Sequence, residues 1–399
     1  MSKAIHSNAK QQNKTLLSNT KQQNKTDDSE SKQQHTASES NKTDDSESKQ
    51  QHTASESKQP SACALELPDR TSTFAMTDQP HENRAYVWLL MKGDAYLPGV
   101  FVSVYSVKRT KPTADLVVMV TPDVSDAARS TLLKVATHIC CVPYISVKSL
   151  PLKTQRQREM YGHWIESAYT KLNCLALPYK KIIFMDADTV HLSSTEDLFE
   201  LRAPAAPYAN PFVKPLGKLP DHYKGPRGKD GYPLHKAFIS SVLVTNIIDK
   251  GGVLPISSSM VLTPSIEDYN SYINLLKTFS VFGFTKCMNG YDEQSICYYY
   301  SKLKKKGWYA IHQRYNYIAW KDGFLCKGDA PKVIHYMSET KPWMIAYNAY
   351  DDVITWYKMA ADALEQTGIH PTTILITEEN INAAVASDDI FLNKFGVSM

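Results

Sequence analysis

The chain predicts an α/β domain, a mostly parallel sheet covered by helices on both faces and preceded by a disordered tail. Three observations carry this. Apolar runs of strand length alternate with helix-length segments from about residue 83 to residue 366. The runs are apolar throughout, as strands buried on both faces are. Before Leu65 there is almost no aliphatic or aromatic side chain, so residues 1–82 cannot bury enough surface to offset their conformational entropy.

Within the tail, NKTDDSESKQQHTASES runs from Asn24 to Ser40 and recurs unchanged from Asn41 to Ser57. Its apolar content is too low for a solenoid, so it reads as a flexible extension. Order should begin near Arg84. AYVWLLM (Ala85 to Met91) is the first buried strand, followed by a Gly93-Asp94 loop and a helix over Leu97 to Val107. DLVVMVTP (Asp115 to Pro122) is the second strand. Ser125 is a suitable N-cap for a helix through Ala136. HICCVPYI (His138 to Ile145) is the third strand, and a helix is expected from about Glu159 to Leu177, stopped by Pro178. KKIIFMDAD (Lys180 to Asp188) then supplies a strand ending in two carboxylates, and AFISSVLVTNI (Ala237 to Ile247) reads as another strand. The intervening Pro-, Gly- and Lys-rich loop, about Arg202 to Lys236, has the length of a recognition surface. Residues 367–399 form a C-terminal extension.

Net charge is +4 over 399 residues, too mild a balance for a nucleic-acid binder of this size. The dense cluster Lys302, Lys304, Lys305 and Lys306 reads as a solvated helix end. Seven cysteines without regular spacing suggest buried free thiols rather than a disulfide framework or a zinc site. No apolar leader and no membrane-spanning window is apparent, so a cytoplasmic protein without membrane association is expected. In that setting the sequons at Asn13, Asn24 and Asn41 have no consequence.

Chemistry concentrates at Asp186 and Asp188. Residues two apart on a strand face the same way, so both carboxylates should project beyond the strand's carboxyl end, where ligands of open α/β sheets sit. Two hard oxygen ligands suit Mn²⁺ or Mg²⁺ together with diphosphate oxygens. A solvated turn would explain the pair as well. A further reading is a haloacid-dehalogenase-like phosphatase with Asp186 as nucleophile, although such a motif normally opens its domain rather than following a hundred residues of α/β structure.

The blocks around the pair decide between these readings. ENRAYVWLLMKGDAYLPGV opens the ordered region and YTKLNCLAL precedes the carboxylate strand; DEQSI follows it, and HYMSETKPW (His335 to Trp343) closes the set. In this order, from about Arg84 to Trp356, the chain resembles family 8 glycosyltransferases, the group of glycogenin and the plant galactinol synthases. The resemblance implies a single GT-A-type domain and a retaining transferase that moves a hexose from a UDP-sugar, UDP-glucose or UDP-galactose, to an acceptor that no motif identifies. It leaves room for a homodimer.

By the same resemblance Tyr96 stacks on the uracil, Leu90 and Lys92 line the nucleotide loop, and Lys171 reaches the donor. Asp186, Asp188 and His335 are the metal ligands and Lys341 binds the diphosphate. Glu293 and Gln294 lie near the anomeric carbon, with Gln294 nearest the reacting face. Two departures stand out. FISSV occupies the place of the family's FN-x-G block, leaving Ser240 where an Asn would contact the sugar. Ser338 replaces the usual Gly between His335 and Lys341. No Tyr falls where glycogenin glucosylates itself, which argues against self-priming. Loss of the Asn also keeps open a catalytically silent nucleotide-sugar-binding protein.

Overall fold

The computed structural model describes residues 83–147, 155, 158, 159, 162–208, 233–249, 255–282, 291–319, 330–338 and 340–397. The tandem-repeat tail and most of the Pro/Gly/Lys loop lie outside these residues.

Four parallel strands form the half of the sheet that positions the site. They are β1 (Arg84–Leu90), β2 (Asp115–Val120), β3 (His138–Cys141) and β4 (Lys181–Met185), in the order β3-β2-β1-β4. Beyond β4 the sheet turns mixed. β5 (Thr189–His191) belongs to a separate small sheet. The main sheet continues through β8 (Ser259–Leu262), antiparallel to β4, then β6 (Ala205–Ala206), β9 (Trp308–Ala310) and β7 (Phe238–Ile239).

Side-chain alternation along the parallel strands splits the core in two. Tyr86, Trp88 and Leu90 share one cluster with Val118, Val120, Ile183 and Met185. Ala85 and Val87 share the other with Val117, Met119, Ile182 and Phe184. On the first face pack α1 (Leu97–Lys108), α2 (Asp126–Leu132) and, from much later in the chain, α6 (Asp351–Thr367), after α3 (Ser241–Asp249), α4 (Ile266–Phe282) and α5 (Tyr291–Tyr298). The second face is covered by the 3-10 helix Ile165–Ala176 with α3, α4 and α5. Both faces are therefore dry, which is why the strands read as continuous apolar runs.

Ser125 caps α2 as expected, its Oγ accepting the Ala128 N–H at 3.1 Å. Three expectations need correction. AFISSVLVTNI is not a long strand: it is two residues of β7 followed by α3. Ser240 explains the switch, since its Oγ accepts the Leu243 N–H at 3.3 Å. Leu243, Val244, Ile247 and Ile248 then bury on one helical stripe. The helix expected from Glu159 is a 3-10 helix starting at Ile165. The lysine cluster is not simply solvated either: Lys302 pairs with Asp249 at 2.7 Å and Lys304 with Asp268 at 2.7 Å.

The C-terminal residues share the main core. Ile374, Ile381, Phe391 and Leu392 belong to the first cluster. Asp389 caps α8 (Ile390–Phe395), which follows α7 (Glu378–Val385), and accepts the Thr355 hydroxyl of α6 at 2.9 Å. Cys174 and Cys297 are buried thiols, Cys297 donating to the Pro255 carbonyl at 3.5 Å, while Cys140 and Cys141 are half-buried. Among the described residues, no helix is long and apolar enough to cross a membrane.

Candidate metal and donor site

The loop leaving β4 carries Asp186 and Asp188 past the end of the parallel strands. Two backbone bonds hold it from opposite sides. Asp186 N–H donates to the Ser258 carbonyl at 2.8 Å, and the Asp188 carbonyl accepts the Tyr336 N–H at 2.8 Å. Immediately afterwards β5 pairs antiparallel with β11 (Val333–His335), which also pairs with β10 (Tyr317–Ile318). The register sets His335 opposite Thr189 and so brings it beside Asp188.

Asp186, Asp188 and His335 each offer a ligand atom within 4.8 Å of the others. His335 Nε2 stands 3.2 Å from Asp188 Oδ1, and Lys341 Nζ stands 2.6 Å from Asp188 Oδ2. One oxygen of Asp188 therefore serves the ammonium while the other faces the imidazole. Two carboxylates and an imidazole at this spacing fit a hard or borderline divalent cation such as Mn²⁺ or Mg²⁺.

Lys171 rises from the other face. Its Nζ lies 2.9 Å from Asp292, 3.4 Å from Asp186 and 3.1 Å from the Ser257 hydroxyl. Ser257 Oγ also donates to Asp292 at 3.0 Å, and Ser257 N–H donates to Glu293 Oε1 at 3.1 Å. Lys171 and Lys341 thus flank the carboxylate loop, each ammonium anchored on one of its two aspartates.

These neighbours set the charge states. Burial pushes the Asp188 carboxyl up, but Lys341 and His335 outweigh it and hold the group below the usual carboxylate range. Burial also raises Asp186; Lys171 opposes this and the adjacent Asp188 charge reinforces it, leaving the group above its ordinary value. Glu293 is pushed up to about 8 by burial and by the Asp292 charge. Burial works against the Lys171 ammonium, yet Asp186 and Asp292 keep it firmly protonated.

The remaining expected residues fall in different places. Tyr96, at the entry to α1, is 36% exposed, packs edge-on against Trp343 at 5.4 Å and lies 6.0 Å from Lys341 Nζ. Lys92 has φ 61, and its N–H donates to the Tyr144 hydroxyl at 2.9 Å. Leu90 buries its side chain in the core and spends its carbonyl on Thr121 N–H, so its contribution is to hold the loop. Glu293 is likewise engaged by Ser257. Gln294 is buried on α5 with Oε1 unpaired among the described residues. Ser240 is exposed and occupied as the α3 cap. Ser338 is half-buried in the turn between His335 and Lys341.

Several contributors escaped sequence reasoning. Asp292, Ser257, Ser258 and Asn316 are all buried and all bonded to the expected residues. The closing letters of the HYMSETKPW block also gain a role. Trp343 roofs Gly99, whose added Cβ would stand 2.5 Å from the indole ring and 2.8 Å from the Ala187 carbonyl. Only a glycine lets α1 approach the aspartate loop this closely.

The glycosyl transferase family 8 model matches residues 89–249. Glycogenin-1 of Mus musculus is 28% identical over 308 residues, covering 74% of this chain and 73% of that protein. Glycogenin-1 of Homo sapiens is 28% identical over 283 residues, covering 68% of this chain and 64% of that protein. An uncharacterized protein of Acanthamoeba polyphaga mimivirus is 36% identical over 123 residues, covering 31% of this chain and 42% of that protein.

Proposed function

The chain is a glycosyltransferase of family 8, glycogenin-like, and from that premise we propose that it moves a hexose from a UDP-sugar with retention of configuration. The observation that carries the reading is the convergence of Asp186, Asp188 and His335 with Lys341 at the end of the parallel strands. The phosphatase alternative gives way to the family assignment.

Asp186, Asp188 and His335 would hold Mn²⁺ or Mg²⁺, which supplies Lewis-acid neutralisation of a departing diphosphate. Lys341 and Lys171 add fixed positive charge where the leaving group becomes more negative, and both are already oriented by carboxylates before substrate arrives. Tyr96, exposed on one side and braced by Trp343 on the other, offers its ring to the uracil. Lys92 opens the same loop. Gln294, whose Oε1 is unpaired among the described residues, is the group on α5 assigned to the sugar.

The test is UDP release from a panel of UDP-sugars, with chelator and with Mn²⁺ restored. Metal-dependent release that Asp188→Asn abolishes is the expected result. Metal-independent release would remove the cation from the reading. Donor binding without release across an acceptor panel would instead make the chain a silent binder.

A further inference from the structure

We propose that Asn316, backed by Ser258, is the positioning residue that fixes the His335 tautomer and presents Nε2 to the cation; this rests on the metal-assisted reading above. His335 Nδ1 lies 2.9 Å from Asn316 Oδ1. Ser258 Oγ donates to that same oxygen at 3.2 Å. The carbonyl of Ser258 accepts the Asp186 N–H at 2.8 Å. One amide and one serine therefore join the histidine arm of the site to the Asp186 arm.

An amide oxygen only accepts, so His335 Nδ1 must carry the proton of a neutral imidazole. With a cation bound, the lone pair on Nε2 is then available to it, on the atom that stands 3.2 Å from Asp188 Oδ1. Turned over, the amide would present N–H to Nδ1, move the ring proton to Nε2 and leave no lone pair for a ligand. Asn316 Nδ2 is buried without a partner among the described residues. The amide thus gives up its donor side at some cost to keep its acceptor on the histidine.

A neutral acceptor also suits a site already crowded with acids. A carboxylate at residue 316 would orient the ring equally well, but would add negative charge to a site that already holds Asp186 and Asp188. The direction of the Asn316 side chain is itself held. The residue leaves the 3-10 turn Gln313–Tyr315, its N–H donates to the Gln313 carbonyl at 2.9 Å, and Tyr315 and Tyr317 bury on either side.

Two measurements on the full chain test this. Nitrogen-15 NMR of histidine-labelled, metal-free protein at alkaline pH, where the ring is neutral, with His335 assigned by its loss in His335→Gln, should show the Nδ1–H tautomer in wild type. Asn316→Leu should lose that fixed state. Mn²⁺ titration followed by the EPR signal of the free ion should show about 10–100-fold weaker binding in Asn316→Leu, the usual cost of losing a ligand's orienting partner. Asn316→Asp, which keeps an accepting oxygen, should restore binding, and circular dichroism separates any misfolded variant. An Nε2–H tautomer in wild type overturns the proposal. So does a folded Asn316→Leu that binds Mn²⁺ like wild type, although the metal reading then stands. A wild-type protein that takes up no Mn²⁺ sinks the metal reading and the ligand role of Nε2 together, whereas the NMR result decides the tautomer alone.

Discussion

Gly99 and Ala187 are packed so closely that a methyl group added to the glycine would meet the Ala187 carbonyl oxygen at 2.8 Å. Ala187 stands between the two aspartates, so α1 supports the carboxylate loop by this close approach and by Ser103, whose Oγ lies 2.8 Å from Thr189 Oγ1. Gly99→Ala should cost about 1–3 kcal/mol, the usual range for forced overpacking. It should lower Mn²⁺ affinity and UDP release more than it lowers the melting temperature, because the strain falls on Trp343 and the loop, both at the site. Wild-type metal affinity in this variant would show that the loop yields freely.

Lys341 and Asp188 form a buried pair at 2.6 Å. Removing one partner leaves an uncompensated buried charge, so Lys341→Met should destabilise by about 3–5 kcal/mol in denaturant unfolding. Adding Asp188→Asn should return part of that loss. The pH dependence has a definite sign. Because the folded-state value of Asp188 is depressed, its stabilisation is present above the unfolded carboxylate value and is lost as acid takes the pH down through the folded one. The gap between wild type and Lys341→Met should therefore be widest near neutral pH and narrow in strong acid.

Glu293 behaves in the opposite sense. Its value rises from an ordinary 4.5 to about 8, so between these limits the folded protein holds a proton that the unfolded chain releases. The stability this group contributes is full below the lower limit and drains away as pH climbs toward the upper one. Glu293→Gln keeps an oxygen for the Ser257 N–H and needs no proton. Urea midpoints measured from pH 5 to 8 should fall less steeply for this variant than for wild type. Parallel pH profiles would mean that Glu293 ionises normally.

Tyr96 is 36% exposed and makes a T-shaped contact with Trp343, and the proposed function stacks its ring on the base. Base–aromatic stacking is worth about 1–3 kcal/mol. Tyr96→Ala should therefore raise the donor KM by about 5–150-fold with a smaller change in kcat. Tyr96→Phe keeps the ring and should stay near wild type. A kcat loss equal in the two variants would instead implicate the hydroxyl.

Much of this architecture was legible before any coordinates. The parallel strands announce themselves because both faces are dry, and Asp186 and Asp188 sit where such a strand must end. Two limits were physical. FISSVLVTNI is apolar enough for strand or helix, and the decision fell to a single capping hydroxyl on Ser240. Ser257, Ser258, Asp292 and Asn316 could not be singled out, because nothing in a serine, aspartate or asparagine tells that it will be buried against a lysine or a histidine. Their roles come from crossings of β8, α5 and the turn before β10, which join segments distant in sequence. His335 and Lys341 were reachable because they recur at a fixed spacing beside a Pro-Trp pair.

The small β10-β11-β5 sheet has an engineering consequence. It clips His335 to the aspartate loop by a short antiparallel register, and residues 202–236 lie outside that register, so changes there should leave the ligand arms paired. Exchanging residues 209–232 between transferases is accordingly a test of acceptor choice that should leave donor-dependent UDP release in place.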